Sequence, residues 1–119
     1  MKIKTSDLAG QALDWAVAKI DQQQWSDYDC LLWVQDDEYQ YNPSTDWSQG
    51  GPIIEREKLE VRANDYEWQA FCFGFPSARA HSGKKVWASG PTPLIAAMRC
   101  VVAANLGDEV DIPDELFNP

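Results

Sequence analysis

The sequence lacks any apolar run long enough to cross a bilayer, so it contains no spanning helix. It has one histidine, His81, and a Ser/His/Asp or Cys/His arrangement would rest wholly on that side chain in an expected loop. Cysteine is sparse. Cys30, Cys72 and Cys100 are odd in number, widely spaced and form no CxxC pair; a zinc site would need all three to converge with His81. Reduced thiols in a cytosolic protein account for them more simply. Residues 1–20 lack a signal-peptide core, because Asp7, Asp14 and Lys19 interrupt the apolar pattern. The expected location is therefore cytoplasmic. Basic residues are few: 10 Lys and Arg stand against 19 Asp and Glu, for a net charge of −9. Such a chain is repelled at long range by duplex DNA and by anionic membranes, so neither is an expected partner. No internal repeat or low-complexity tract is present.

What remains is an ordinary globular composition, 45% hydrophobic and 24% charged over 119 residues. A chain of this size should bury about two-thirds of its unfolded surface, enough for one core without staples. A single domain over residues 1–119 is expected.

Met1 to Lys4 reads as a short leading strand. Thr5, Ser6 and Asp7 offer cap chemistry for a helix whose apolar face is Leu8, Ala9, Ala12, Leu13, Ala16, Val17 and Ile20. Tyr28 to Val34 reads as a strand, followed by a solvated Asp36-Asp37-Glu38 turn. Asn42 to Pro52 reads as a long loop, with two prolines and a Gly pair opposing regular structure. Residues 55–62 are ambiguous between a short helix and an edge strand. Tyr66 to Phe73 alternates as a strand, and Lys84 to Ser89 forms another. Thr92 caps a second helix with Pro93 at its first position, and Gly107 ends it. The tail from Asp108 to Pro113 adds a short extended edge. The expected class is α+β: a small antiparallel sheet of three to five strands with two helices on one face.

Charge is distributed unevenly. From Gln69 to Gly107 there is no Asp or Glu, while Arg79, Lys84, Lys85 and Arg99 supply +4 and His81 adds a donor; the remainder of the chain carries −13. Acids gather at Asp27, Asp29, Asp36, Asp37 and Glu38, and again at Asp108, Glu109, Asp111, Asp114 and Glu115. The carboxylate-free span contains the turn into the second helix, where Gly90 and Thr92 and the free N–H groups of a helix start suit an anion. The polar loop Ser44, Thr45, Asp46, Trp47, Ser48, Gln49, Gly50 and Gly51 sets hydrogen-bonding groups around one indole able to stack on a planar ligand. Ser44, Thr45, Asp46, Trp47, Gln49, Gly50, Gly51, Arg79, His81, Lys84, Lys85, Gly90, Thr92 and Arg99 are accordingly the candidate ligand-binding residues. Trp15, Trp33 and Trp68 lie on periodic faces and read as core, whereas Trp25, Trp47 and Trp87 are free to line a pocket or a subunit interface. No residue is assigned to catalysis or to a metal, and no cofactor is expected.

Three stretches resemble the NinX family of small temperate-phage proteins: Tyr41-Asn42-Pro43-Ser44-Thr45-Asp46-Trp47-Ser48-Gln49-Gly50-Gly51-Pro52-Ile53-Ile54-Glu55 in the centre, Met1 to Leu8 with Ala12 to Ala18 at the start, and Gly90 to Cys100 with Leu106 to Val110 near the end. The resemblance implies an accessory protein acting in a bacterial cytoplasm and carries no established activity to transfer. Two functions are expected on these grounds. The first is a non-catalytic homo-oligomer that binds and sequesters a small anionic, nucleotide-like ligand, as in counter-defence. The alternative is an acidic inhibitor that occupies a basic site on a host enzyme or defence protein.

Overall fold

A computed structural model describes residues 1–38, 40–72 and 86–117. Among these, strand β1 (Lys2–Lys4) leads into a 3-10 turn at Thr5–Asp7 and helix α1 (Gly10–Asp21). Helices α2 (Asp27–Val34) and α3 (Trp47–Glu57) follow, then strands β2 (Glu60–Ala63), β3 (Trp68–Cys72) and β4 (Val86–Gly90). Helix α4 (Pro93–Leu106), strand β5 (Glu109–Asp111) and a 3-10 turn at Asp114–Leu116 complete them. The α+β class holds, with four helices rather than two among the described residues.

Strands β2, β3 and β4 form an antiparallel sheet in that order, with Val61 opposite Ala70 and Ala70 opposite Ala88. The two chain ends make a second sheet: β1 pairs antiparallel with β5, Lys2 opposite Asp111 and Lys4 opposite Glu109. Helix α4 packs across both β3 and β4 and against α1. Its buried Leu94, Met98, Val101 and Val102 join Leu13 and Val17 of α1 to form the core. Thr92 caps α4 by accepting from the Ile95 N–H at 3.1 Å, and Gly107 ends it at φ +91°. Trp15 is core as expected, while Trp33 and Trp68 are only half-buried.

Three local expectations are corrected. The first helix starts at Gly10 without a side-chain cap, because the expected cap residue Thr5 instead donates its hydroxyl to the Gly107 carbonyl at 2.6 Å, tying the start of the chain to the end of α4. The segment Tyr28–Val34 is helix, not strand. Ser26 and Asp29 form a capping box, the Ser26 hydroxyl accepting from the Asp29 N–H (3.1 Å) and the Asp29 carboxylate from the Ser26 N–H (3.4 Å). Cys30, Leu31 and Val34 are buried, a helical spacing.

The third correction concerns Asn42–Pro52, which is only half loop, since α3 runs through Gly50, Gly51 and Pro52. A proline there removes one helix hydrogen bond and costs about 3 kcal/mol. Side chains at the helix start offset that cost. Asp46 Oδ1 accepts from the Ser48 N–H (2.9 Å) and hydroxyl (2.7 Å). Gln49 accepts from the Asn42 N–H (2.8 Å) and donates to Asn42 Oδ1 (2.8 Å) and the Gln40 carbonyl (3.0 Å). Gly50 lies so close to its neighbours that a Cβ would fall on the Pro43 carbonyl oxygen and within 2.6 Å of Leu94 Cδ2. The glycine that reads as loop punctuation is what lets α3 touch α4.

Candidate functional site

The contact at Gly50 sets the first turns of α3 beside the first turn of α4, so the two regions expected to bind an anion are neighbours. Most of their side chains are committed to the fold. Ser44 is buried, with its N–H donated to Asp14 Oδ1 at 2.9 Å. Asp46, Gln49 and Thr92 cap or latch the helix starts as described, and the Ser48 hydrogen bonds hold the Asp46 carboxyl below its usual range. A Cβ on Gly90 would come within 2.9 Å of Ala96 N and of Ile95 Cγ2, so Gly90 brings the end of β4 against α4. Arg99 donates from Nε to the Leu8 carbonyl (2.8 Å) and from Nη1 to the Ser89 carbonyl (2.9 Å), joining β4 to the segment before α1. Thr45 and Trp47 are exposed and Gly51 is open, with nothing within 4 Å of a Cβ placed there. Arg79, His81, Lys84 and Lys85 lie outside the described residues, as does the loop expected around His81.

Sequence reasoning missed Asp14. It lies on the buried face of α1, 3% exposed, and desolvation pushes its carboxyl up to about 6 despite the Ser44 hydrogen bonds. One edge of Asp14 faces a hollow of about 290 Å³ with Asp36, Asp37 and Asn42. The interrupted apolar pattern was its only trace in the sequence.

The more distinctive surface surrounds α2, whose helical state the sequence reading did not foresee. Helix formation buries Cys30, Leu31 and Val34 and turns the rest of the apolar run outward: Tyr28 is 65% exposed, Leu32 50%, and neighbouring Trp25 39%. Two hollows flank the helix. One, about 370 Å³, is lined by Asp27, Tyr28 and Leu31 together with Asp111, Asp114 and Glu115. Asp27 of the first acid cluster therefore meets Asp111, Asp114 and Glu115 of the second, some eighty residues away along the chain, on one face. The Met1 ammonium pairs with Asp111 (3.0 Å) and Asp114 (3.2 Å), contacts that raise its pKa, and Lys19 pairs with Asp27 (3.0 Å). The other hollow, about 380 Å³, is lined by Trp25, Asp29, Leu32, Trp33 and Asp36. The Trp33 ring stacks on Tyr41 with centroids 4.2 Å apart and meets Trp25 at 5.0 Å, tilted by 57°. The Tyr41 hydroxyl donates to Asp21, which also receives Arg56 at 2.8 Å.

Cys30, Cys72 and Cys100 are buried and unpaired by disulfide, and burial pushes the Cys100 thiol up to about 12, away from the thiolate that a nucleophile needs. No helix among the described residues is long and apolar enough to cross a membrane. A comparison with curated proteins finds no match. Residues 4–105 match the family described as Bacteriophage P22, NinX. That match covers most of the 119 residues, so the chain belongs to this family of bacteriophage accessory proteins.

Proposed function

We propose that this member of the NinX family acts without catalysis, as an acidic docking protein that occupies a basic site on another protein in the infected bacterial cytoplasm. The observation that carries this reading is the convergence of Asp27 and Tyr28 with Asp111, Asp114 and Glu115 on one face, beside exposed Leu32 and Trp25. Solubility alone accounts for scattered acids, but not for large apolar side chains held outward among them. Aromatic anchors with charge around them are what protein interfaces use: the rings supply burial, and the carboxylates supply speed of encounter and choice of partner. The net charge of −9 strengthens attraction to a basic patch and weakens with salt.

The test is capture from a phage-host lysate on immobilised protein at low and at raised salt. A protein retained at low salt, released by raised salt, and lost when Tyr28 and Leu32 are both replaced by alanine supports the reading. Retention indifferent to those side chains and to salt overturns it.

A second reading, a small nucleotide-like anion held by a homo-oligomer, is favoured by the contact between the starts of α3 and α4 beside exposed Trp47. It expects a raised melting temperature with cyclic, linear or ADP-ribose-type nucleotides, an effect removed by Trp47→Ala. An unchanged melting temperature with all of them overturns it.

A further inference from the structure

The hollow beside α2 has a composition more specific than the face around it. Leu32 and Trp33 lie three and four residues after Asp29, so α2 lines these three along one face with a carboxylate a turn before the indole, and Asp36, just past the helix end, lines the same hollow. Trp25 closes the side from the turn between α1 and α2, its ring tilted by 57° against Trp33. Tyr41 stacks on Trp33 in near-parallel contact and covers one face of the indole. No lysine or arginine among the described residues lines this space. Among the described residues, Lys19 is taken by Asp27 and the Trp25 carbonyl, and Arg56 by Asp21.

Indole faces carry negative potential and attract a cation within about 6 Å of the ring centre. A carboxylate at the rim adds charge and acceptors. A compact ammonium needs rings on several sides to replace its hydration. Here the two rings touch, so a cation must lie over them rather than between them, which suits a flat, weakly hydrated cation able to stack on one ring while its edge donates to a carboxylate. We infer that this hollow is a receptor for the guanidinium of an arginine side chain presented by the basic partner. The inference rests on reading the α2 face as a docking surface, and it assigns that surface a chemical anchor.

The test uses the intact protein and acetyl-arginine-amide, with acetyl-lysine-amide, tetramethylammonium and neutral acetyl-citrulline-amide as comparisons. Indole N–H resonances are followed by NMR, those of Trp25 and Trp33 being identified from Trp25→Phe and Trp33→Phe. The expected result is a saturable shift confined to these two indoles, strongest with the arginine compound and absent with citrulline. Asp29→Asn should weaken the binding about two- to fivefold. Because Asp29 also belongs to the capping box, Trp25→Ala, which leaves that box intact, should abolish the Trp33 shift while the other indole resonances stay in place. Equal response to citrulline, shifts spread over all six indoles, or tighter binding of lysine or tetramethylammonium overturns the assignment. Lysate capture that depends on Tyr28 and Leu32 while the arginine compound leaves both indoles unmoved sinks the anchor but not the docking surface. A confined arginine response with no salt-sensitive capture sinks the docking surface.

Discussion

Asp14 sits on the core side of α1 with only Ser44 satisfying its carboxylate, and no cation pairs with it among the described residues. Desolvation lifts its pKa from 3.8 to about 6, so the folded chain holds that proton more tightly than the unfolded chain does. Its contribution to stability is therefore complete below pH 3.8 and is lost as the pH rises through about 6. The whole difference corresponds to about 3 kcal/mol, and about 1.4 kcal/mol of it develops between pH 5 and 8, clear of the isoelectric region near 4.4. Asp14→Asn removes the charge while leaving an amide oxygen to accept the Ser44 N–H. Urea unfolding followed by tryptophan fluorescence at pH 5, 6, 7 and 8 should show the variant gaining on the natural protein at each step, by about 1.4 kcal/mol in total, with the slope on urea unchanged. Parallel stability profiles for the two proteins, or a variant that falls further behind as the pH rises, would refute the reasoning. Parallel profiles would mean that the carboxyl is already ionised in the fold at pH 5.

Gly50→Ala places a methyl group on the Pro43 carbonyl and Leu94, and calorimetry should show a loss of about 1–3 kcal/mol. Gly51→Ala, one residue on in the same helix with open space around it, should instead gain up to about 1 kcal/mol; equal effects at the two sites would contradict the close approach of α3 and α4. Arg99→Met keeps the hydrocarbon stem but strips the donors from the Leu8 and Ser89 carbonyls, and denaturant titration should register a loss of about 2 kcal/mol or more. Ser26→Ala should cost about 1 kcal/mol and speed amide exchange across residues 27–34, whereas Ser26→Asp should restore most of the protection.

The elements legible in the sequence are those in which local signals agree. In α4, Thr92, Pro93, the apolar period and Gly107 all indicate one helix. The β3 alternation likewise survives folding, with Ala70 and Cys72 turned toward α4 and Gln69 and Phe71 on the opposite face. The misreadings come from segments where composition and context disagree. Tyr28–Val34 is too short for its apolar run to distinguish strand from helix by period, and the deciding signal starts two residues upstream, in the Ser26–Asp29 box. For α3 the local rules point the wrong way, since two glycines and a proline oppose a helix. Tertiary contact decides the matter: Gly50 is required by the approach to Leu94, Ile53 is buried, and Asp46 and Gln49 hold the first turn. The residues that suggested a ligand loop are, in large part, those that make this helix possible.

The same shift from strand to helix determines what the acidic charge can do. As a strand, Tyr28–Val34 would alternate its side chains across two faces and set Tyr28 and Leu32 on the face opposite Asp27 and Asp29. As a capped helix it commits Cys30, Leu31 and Val34 inward, and this forces Tyr28, Leu32 and the open side of Trp33 to share the outer surface with those acids. The pairing of β1 with β5 then brings Asp111 beside the start of the helix, and Asp114 and Glu115 follow. A carboxylate gains little from lying next to another carboxylate, and an exposed indole or phenol gains little from water. Within the chain, Lys19 and the Met1 ammonium answer Asp27, Asp111 and Asp114, but Tyr28, Leu32 and Trp25 stay exposed beside them. The energetic return comes when a cationic, partly apolar surface covers them, because the same contact then relieves like-charge repulsion and removes ring area from water.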